Sequence, residues 1–567
     1  MGRAHAFLAV AFLVASAGPA FAHGGQYRGP GGRVPNDPTV PGQGGTPTGG
    51  WEAWWSANAW RYVNLRERLR LRDRPSGETL SGGIGTMGPG GEEPVAAADA
   101  FDPRRFHEAE TLPVVLAALS DEDSEVRSAA AVALGKMGFA RSLPDLRKAL
   151  RDDVRDVRDG AVLALGMLGE PFAADDLREI LLDRRQDDRT RSFAAIGLGF
   201  LRSPEGTEPL LAFLDPAIDA TRQGGIGRTN HTEASALTGV GLSGHGPAAP
   251  GLRRDYASDK RYEPQVRAFA GVALARLGDR EAIPLLLQGL DHAREPMRQA
   301  AALALGPLGK PDDAAVIQGL ARRVHEDKDL ATRQFAMMSL ARIGGSEARE
   351  VVRRVLTKGT RIDIPWAALA CAVGGDREMI PVVRKLFQNE RHTSQKAGFA
   401  LALGLLGDRD SCPDFLRIGA AQGDSNLRNY CLLALGLAGP PSAAAEVRAI
   451  VEKENDAGIK MAAATCLGLL QDPQAVPMLE RMVKEGENVF VRSSACRILG
   501  HIGAPRSSEV LAAIVKDRKD NSVVRMTATA GLGNLADPRL VPLLAEVGMD
   551  GNYTSAVDPL LEIASIM

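Results

Sequence analysis

The sequence predicts an all-α protein, an α-solenoid (superhelix) of about thirteen stacked helix hairpins, and three observations support this prediction. One helical pattern recurs from residue 101 to residue 567. Gly accounts for 62 of 567 residues and aromatic residues for only 5%, so Ala, Leu, Val and Gly must build the core, which suits closely packed helices. The apolar fraction of 44% and the charged fraction of 24% are those of a folded chain.

The repeated unit is recognised by one anchor residue, usually basic, and by three positions that follow it. The thirteen anchors are Arg127, Arg158, Arg191, Glu233, Arg267, Arg298, Arg333, Ile364, Lys396, Arg428, Lys460, Arg492 and Arg525. Ala stands three positions after the anchor in eleven copies, Leu seven positions after it in eleven, and Gly eight positions after it in ten, with Ala in the other three. Spacings of 3, 7 and 8 place these residues on one stripe of an α-helix.

The recurrent Gly has a structural reason. Gly inside a helix costs about 1 kcal/mol relative to Ala, so its repetition at one site predicts that a larger side chain would collide with the next helix. An amphipathic stretch such as LPDLRKAL (143–150) precedes each anchored helix, and turns such as Gly407-Asp408 separate the copies. Each unit is therefore predicted to be a helix hairpin. Thirteen hairpins stacked in one direction predict an elongated arc on the order of 110–130 Å.

These units resemble HEAT repeats, specifically the short bacterial type that also occurs in phycobilisome bilin lyases. The resemblance covers about residues 105–550 and is carried by the A-x-x-x-L-G core of segments such as VRSAAAVALGKMG (126–138) and VRDGAVLALGMLG (157–169). It implies an α-solenoid fold. It implies little about function, because repeat folds have many roles.

The N-terminal hundred residues differ from the repeats. Residues 1–22 have the basic start, the apolar run and the Ala20-Phe21-Ala22 ending of a cleaved secretory signal, which predicts export to the periplasm or the exterior. Residues 23–50 and 75–100 are Gly-rich linkers on either side of a Trp-rich helix at 51–74, and the solenoid occupies 101–567. Loop insertions are predicted near 217–231 and 245–263, where the repeat pattern is interrupted.

The Trp-rich helix is the candidate binding element. Trp51, Trp54 and Trp55 lie at i, i+3 and i+4 and form one apolar face, and Trp60 follows closely. Such a face must dock somewhere. Two interpretations are open: it caps the exposed end of the first repeat near Leu112–Leu119, or it docks on a separate partner.

The stacked anchors predict a structural ladder of acidic and basic residues. An acidic residue four positions before the anchor is placed to cap the helix, and the anchor is placed to pair with it or with the neighbouring repeat's Asp. HEAT repeats contain such a ladder, and the resemblance implies one here. The residues predicted to form it are Asp123, Arg127, Asp187, Arg191, Asp329, Arg333, Asp424, Arg428, Asp456 and Lys460.

We expect neither a catalytic site nor a cofactor nor a metal. The five cysteines lack the C-x-x-C spacing of a zinc or redox site, and their positions in the repeat predict buried free thiols; they are Cys371, Cys412, Cys431, Cys466 and Cys496. The HEAT-like enzyme deoxyhypusine hydroxylase has four His-Glu pairs near its helix starts, whereas this chain has two, His107-Glu108 and His325-Glu326, outside the matching positions.

The predicted function is that of an exported, non-catalytic scaffold that binds another macromolecule, and the expected partner is a protein. The net charge of −2 speaks against a nucleic-acid partner, and no segment is long and apolar enough to be an integral membrane span. The alternatives are an enzyme of the HEAT-like lyase or hydroxylase type with a site not visible in sequence, and a binder of cell-envelope polysaccharide.

Overall fold

The computed structural model describes residues 51–63, 65, 102–215, 217, 227–486, 488–505, 507–539, 542–549 and 557–565. Throughout these residues the regular secondary structure is helical, as predicted, and no strand is present. The predicted signal and both predicted Gly-rich linkers lie outside the described residues, and so does most of the predicted insertion at 217–231.

The N-terminal half of the chain forms, in order, α1 (Trp51–Asn58), α2 (Pro103–Phe106), α3 (Leu112–Ala118), α4 (Ser124–Met137), α5 (Leu143–Ala149), α6 (Arg155–Leu168), α7 (Ala174–Leu182), α8 (Asp188–Phe200), α9 (Pro204–Leu214), α10 (Asn230–Ser243), α11 (Ala249–Ala257), α12 (Pro264–Arg276), α13 (Ile283–Gly289) and α14 (Glu295–Leu308). The C-terminal half forms α15 (Ala314–Glu326), α16 (Leu330–Ile343), α17 (Gly345–Lys358), α18 (Asp363–Val373), α19 (Ile380–Asn389), α20 (Thr393–Leu406), α21 (Cys412–Ala420), α22 (Ser425–Ala438), α23 (Ala444–Lys453), α24 (Ala457–Leu469), α25 (Ala475–Glu485), α26 (Val489–Ile502), α27 (Ser507–Lys516), α28 (Ser522–Ala536), α29 (Leu543–Gly548) and α30 (Asp558–Ser565).

The even-numbered helices from α4 to α28 are the thirteen anchored helices predicted from the sequence, and we call them the inner helices. Each packs against the next inner helix and against the preceding odd-numbered helix, which we call an outer helix. The two degenerate copies are true members: Glu233 lies in α10 and Ile364 in α18. Inner helices are buried along nearly their whole length, whereas outer helices such as α5 bury mainly one face.

The recurrent Gly brings neighbouring inner helices into backbone contact, as the sequence predicts. A Cβ on Gly135 would lie 2.6 Å from Cα of Ala164 in the next inner helix, and one on Gly404 would lie 2.6 Å from Cα of Ala434. Real Cβ atoms do not approach so closely. Neighbouring inner helices therefore approach closely at these positions. Neighbouring outer helices contact each other much less, so each hairpin is a wedge that is narrower on the inside.

The thirteen wedges close into a ring, and the predicted elongated arc is wrong. The last inner helix, α28, packs against the first, α4. A Cβ on Gly533 would lie 2.6 Å from Cα of Ala133, which is the same contact that joins consecutive repeats. Arg525 pairs with Asp121 across this seam, and both side chains are buried. The stack thus has no free end among its repeats.

The predicted loop insertion at 245–263 is also wrong, because it contains the outer helix α11 (Ala249–Ala257). Pro250 lies in the first turn of that helix, where proline is tolerated. Leu252 and Tyr256, spaced i and i+4, are buried, and Tyr256 fills the space beside Gly271 of the following inner helix. The Gly and Pro residues of this segment interrupt its apolar spacing, so the sequence did not predict a helix there.

Candidate functional site

The Trp-rich segment, residues 51–63, lies in the lumen of the ring. Trp51 packs edge-on against Tyr430 of α22 at 4.8 Å between ring centroids. Trp54 packs against Trp366 of α18 at 6.4 Å, and Trp60 against His501 of α26 at 4.8 Å. These partners belong to inner helices of different repeats. The segment therefore spans the inside of the ring.

All four tryptophans of this segment are buried, with 4%, 5%, 0% and 8% of Trp51, Trp54, Trp55 and Trp60 exposed. The predicted cap on the first repeat near Leu112–Leu119 is wrong, because ring closure leaves that repeat no open end: α28 already covers it. Docking is instead on the lumenal face of the C-terminal half. Among the described residues, the tryptophans predicted to bind a partner thus contact this chain's own repeats.

The lumen is shaped for an aromatic side chain at Gly398. A Cβ at this position would lie 3.1 Å from Cε2 of Trp51. Gly398, Trp366 and Tyr430 stand at the same position of three consecutive inner helices, two residues after the anchors. This arrangement of a small residue between two aromatic ones forms a groove, and we call it the lumenal groove. Its residues were visible in the sequence, but nothing there identified that position as lumenal.

Polar contacts at the edge of the groove orient the segment. Ser394 Oγ donates a hydrogen bond to Glu52 Oε1 at 2.7 Å, and burial raises the pKa of Glu52. Asn58 Nδ2 donates to the carbonyl oxygen of Trp54 at 2.9 Å. Within the described part of the chain, the indole Nε1 atoms of Trp51 and Trp55 are buried without a hydrogen-bond acceptor. The segment is held mainly by apolar packing.

A narrow cleft remains between the segment and two inner helices. It is lined on one side by Trp54, Asn58, Arg61 and Tyr62, and on the other side by Leu303, Met338, Ser339 and Arg342. Its lining includes two arginines and no acidic residue. The cleft lies where the Trp-rich segment meets these two inner helices, and Leu303, Met338 and Ser339 in its wall are buried.

The C-terminal helices α29 and α30 fill another part of the lumen. Arg276 Nη2 donates to the carbonyl oxygens of Glu546, Val547 and Met549, at 2.7, 3.1 and 2.9 Å. In α30, Glu562 pairs with Arg189 at 2.5 Å. Both ends of the described chain therefore pack inside the ring.

The predicted capping residues occupy their predicted places. Asp329 accepts a hydrogen bond from the backbone N–H of Thr332 at 2.8 Å, and Asp424 accepts one from that of Leu427 at 2.8 Å. The same N-cap arrangement is formed by Asp123, Asp187, Asp456, Asn488 and Asn521. These residues satisfy backbone donors at the starts of the inner helices.

The predicted ladder exists, but the sequence misassigned its acidic members. The arginines pair with an acid just before or after the cap of the next repeat rather than with a capping Asp; the pairs are Arg127 with Asp152, Arg298 with Asp327, Arg333 with Asp363, Arg428 with Glu454, and Arg492 with Asp520. Arg191 instead donates to the carbonyl oxygens of Leu181 and Gly227, and Lys460 forms no ladder pair among the described residues. The capping carboxylates accept from N–H groups of their own helices, and the anchor arginines pair with acids beside them.

A second ladder, which the sequence did not reveal, runs on the opposite face of the ring. Arginines of outer helices pair with the Asp of the turn that follows the next inner helix; the pairs are Arg353 with Asp376, Arg384 with Asp408, and Arg448 with Asp472. The Gly-Asp turns are the sequence signal of this second ladder, although their pattern by itself predicts only turns.

Nothing in the described residues forms a recognisable catalytic centre. No group of three or more His, Cys, Asp or Glu residues there is arranged to hold a metal. His107 is buried and its Nδ1 lies 3.0 Å from Thr111 Oγ1. None of the described helices is long and apolar enough to cross a membrane.

The five cysteines are buried and free, as predicted. Burial raises the pKa of Cys412 to about 11 and the pKa values of Cys371 and Cys496 to about 12, and it raises those of Cys431 and Cys466 as well. A thiol is nucleophilic as its thiolate. These thiols are therefore unsuited to nucleophilic catalysis at neutral pH.

A ring of stacked helix hairpins places the protein in the class of α-solenoids. A family model for HEAT repeats matches residues 94–165, 112–192, 257–327, 413–495 and 487–556, together more than half of the chain. The chain belongs to the HEAT-repeat family. No curated protein matches it.

Solved structures of helical-repeat proteins are similar at low identity. Human deoxyhypusine hydroxylase in complex with glycerol is 20% identical over 48% of this chain and 98% of its own, with a TM-score of 0.23. The complex of the two phycocyanin lyase chains from a Nostoc species is 21% identical over 48% of this chain and 100% of the matched one, with a TM-score of 0.30. Importin beta is 13% identical over 82% and 75%, with a TM-score of 0.37. The similarity concerns the fold alone.

Proposed function

We propose that the protein is an exported, non-catalytic scaffold that binds another protein through the surface of its HEAT-repeat ring. The observation that carries this proposal is the lumenal groove, where inner helices of several repeats together hold a short tryptophan-bearing segment. HEAT-repeat solenoids commonly bind proteins, and a surface that holds one helical segment by side-chain packing is suited to hold another.

The faces of the ring offer further contact area. Val489 and Val523, at the starts of two neighbouring inner helices, are 37% and 41% exposed, and Ile362 at the start of a third is 59% exposed. On the opposite face Phe172 is 75% exposed. Scattered exposed apolar side chains are normal on protein surfaces, so these residues add contact area and do not by themselves mark a site.

Export is part of the proposal and rests on residues 1–22. Protein secreted from an expressing cell is expected to begin at His23, which intact-mass measurement or N-terminal sequencing checks. A chain that keeps Met1 and stays with the membrane fraction contradicts export. The partner class is checked by cross-linking the purified ring to envelope extract and identifying the cross-linked species by mass.

The non-catalytic assignment is supported by the buried, protonated thiols and by the arrangement of acids and arginines in ladders. After dialysis, metal analysis is expected to find less than one ion per chain. Stoichiometric iron or copper would reopen the enzyme interpretations. Recovery of envelope polysaccharide instead of protein in the cross-linking experiment would favour the sugar-binding alternative.

A further inference from the structure

We propose that the lumenal groove is a binding site for an aromatic-faced helix, that the chain's own Trp51–Val63 is its resident occupant, and that a partner's helix with the same aromatic spacing displaces it. This inference rests on the proposed function and names the site and the partner class. The partner is a protein that presents aromatic residues at i, i+3 and i+4.

The groove recognises tryptophan by shape. Gly398 leaves the space that the Trp51 indole fills, with Cε2 at 3.1 Å from where a Cβ would stand. Tyr430 closes this pocket at 4.8 Å, and Trp366 receives the second indole, Trp54, at 6.4 Å. The three receiving residues come from consecutive inner helices, which pack against each other. The groove is thus a feature of the ring itself.

The resident segment is an imperfect ligand. Within the described residues, the buried indole N–H groups of Trp51 and Trp55 find no acceptor, and an unpaired buried donor is costly. Burial also disfavours the charged form of Glu52. A partner helix whose aromatic residues bury no unpaired donor in the groove avoids this cost.

The connection of the segment to the ring sets the conditions of exchange. The segment continues to Leu65, which is buried beside Gly468 of α24, and residues 66–101, which include the linker predicted at 75–100, connect it to the first repeat. The covalent connection makes binding of the segment an intramolecular event, so an equal ligand in solution competes poorly. A partner must bind more tightly or also contact the ring faces.

The contacts of the resident segment define the chemistry of the partner. The first and fourth positions of the segment carry Trp, the second carries an acid that accepts from Ser394, and the eleventh carries Arg61 beside the cleft. A helix with an acid after its first aromatic residue and a basic residue near its C-terminal end fits the same contacts.

The test cuts the tether after folding. A protease recognition sequence is inserted between Gly82 and Gly83 of the full chain, and the folded protein is cleaved. Fluorescently labelled peptide with the sequence of residues 51–65 is then added, and anisotropy reports its exchange into the ring. We expect saturable binding and, on gel filtration, release of the unlabelled segment from a ring that stays folded.

Peptide variants provide the controls without altering the ring. The Trp51→Ala and Trp54→Ala peptides are expected to bind at least 10-fold more weakly, whereas the Ala53→Ser peptide, changed at an exposed position, binds like the parent. Equal binding of the Trp54→Ala peptide, absence of exchange over days, or unfolding of the ring on release overturns the proposal. This test uses no partner protein and is independent of the cross-linking experiment. A failure to cross-link envelope proteins therefore counts against the proposed function and does not change the result of the exchange experiment.

Discussion

Glycine eight positions after the anchor is the residue on which the packing of the inner helices depends. At Gly404 an added Cβ would lie 2.6, 2.9 and 3.1 Å from Cα, Cβ and the carbonyl oxygen of Ala434. Two of these atoms belong to the backbone and cannot rotate away. The helix propensity lost at each Gly, about 1 kcal/mol, is offset by this contact.

Replacing Gly404 with Ala should therefore destabilise the ring although Ala is the better helix former. Overpacking of this kind typically costs about 1–3 kcal/mol. Thermal and denaturant unfolding measure the effect. Gly246→Ala is the matched control, since nothing lies within 4 Å of an added Cβ there, and it should leave stability nearly unchanged. Equal effects of the two substitutions would contradict the packing argument.

The buried cysteines predict a simple reactivity pattern. In the native protein at pH 8, alkylation followed by intact mass should modify the thiols slowly, and in denaturant it should modify all five quickly. Because burial raises their pKa values in the folded state, the contribution of these thiols to stability is fully present below their unfolded pKa and is lost as the pH rises toward about 11, where Cys412 titrates. Rapid native labelling of any one of them would show that it is exposed.

At the scale of the element, eight of the thirteen inner helices begin at a residue whose side chain caps the first turn. Asp424 at the start of α22 is exposed, and its carboxylate accepts from the N–H of Leu427 at 2.8 Å. No other hydrogen bond of that carboxylate is present in the described structure. The position isolates the capping effect from packing.

Asp424→Ala should cost about 1 kcal/mol of unfolding free energy, because it leaves a helix N–H without its acceptor. Asp424→Ser keeps an acceptor at the same place and should restore most of the loss. Chemical denaturation of the three proteins makes the comparison. An Ala variant as stable as the parent would mean that the cap contributes nothing here.

At the scale of the whole molecule, closure distinguishes this ring from an open superhelix. Asp121 and Arg525 form at the seam the kind of ion pair that Asp152 and Arg127 form between the first two repeats. The chain joins those two repeats covalently, whereas the seam is held by side-chain and helix packing. Small-angle scattering should therefore report a compact closed particle.

Asp121→Ala should weaken the seam, since removing one member of a buried pair typically costs about 3–5 kcal/mol. We expect the variant to have a larger radius of gyration, or a larger distance between labels on the first and last repeats. Asp152→Ala is the control: it breaks the same kind of pair inside the covalently joined part and should leave both measures unchanged. The same change in both variants would argue against a seam.

The sequence by itself determined the parts of the structure that depend on local spacing. The positions at 3, 7 and 8 after each anchor identified the thirteen inner helices, the contact made by the recurrent Gly, the capping residues and the burial of the thiols. All of these follow from the period of an α-helix, which acts over a few residues.

Only the tertiary structure decided closure, the ladder partners and the location of the Trp-rich segment. Closure depends on a small wedge angle summed over thirteen repeats, which no single repeat displays. Gly533 and Arg525 in the last repeat are nevertheless a sequence signal of closure. A terminal repeat with a free face would carry polar residues there instead. Ladder partners depend on which acid the next repeat brings near. The spacing of the tryptophans predicts that they are buried. Where they are buried depends on the lumen, which exists only because the ring closes.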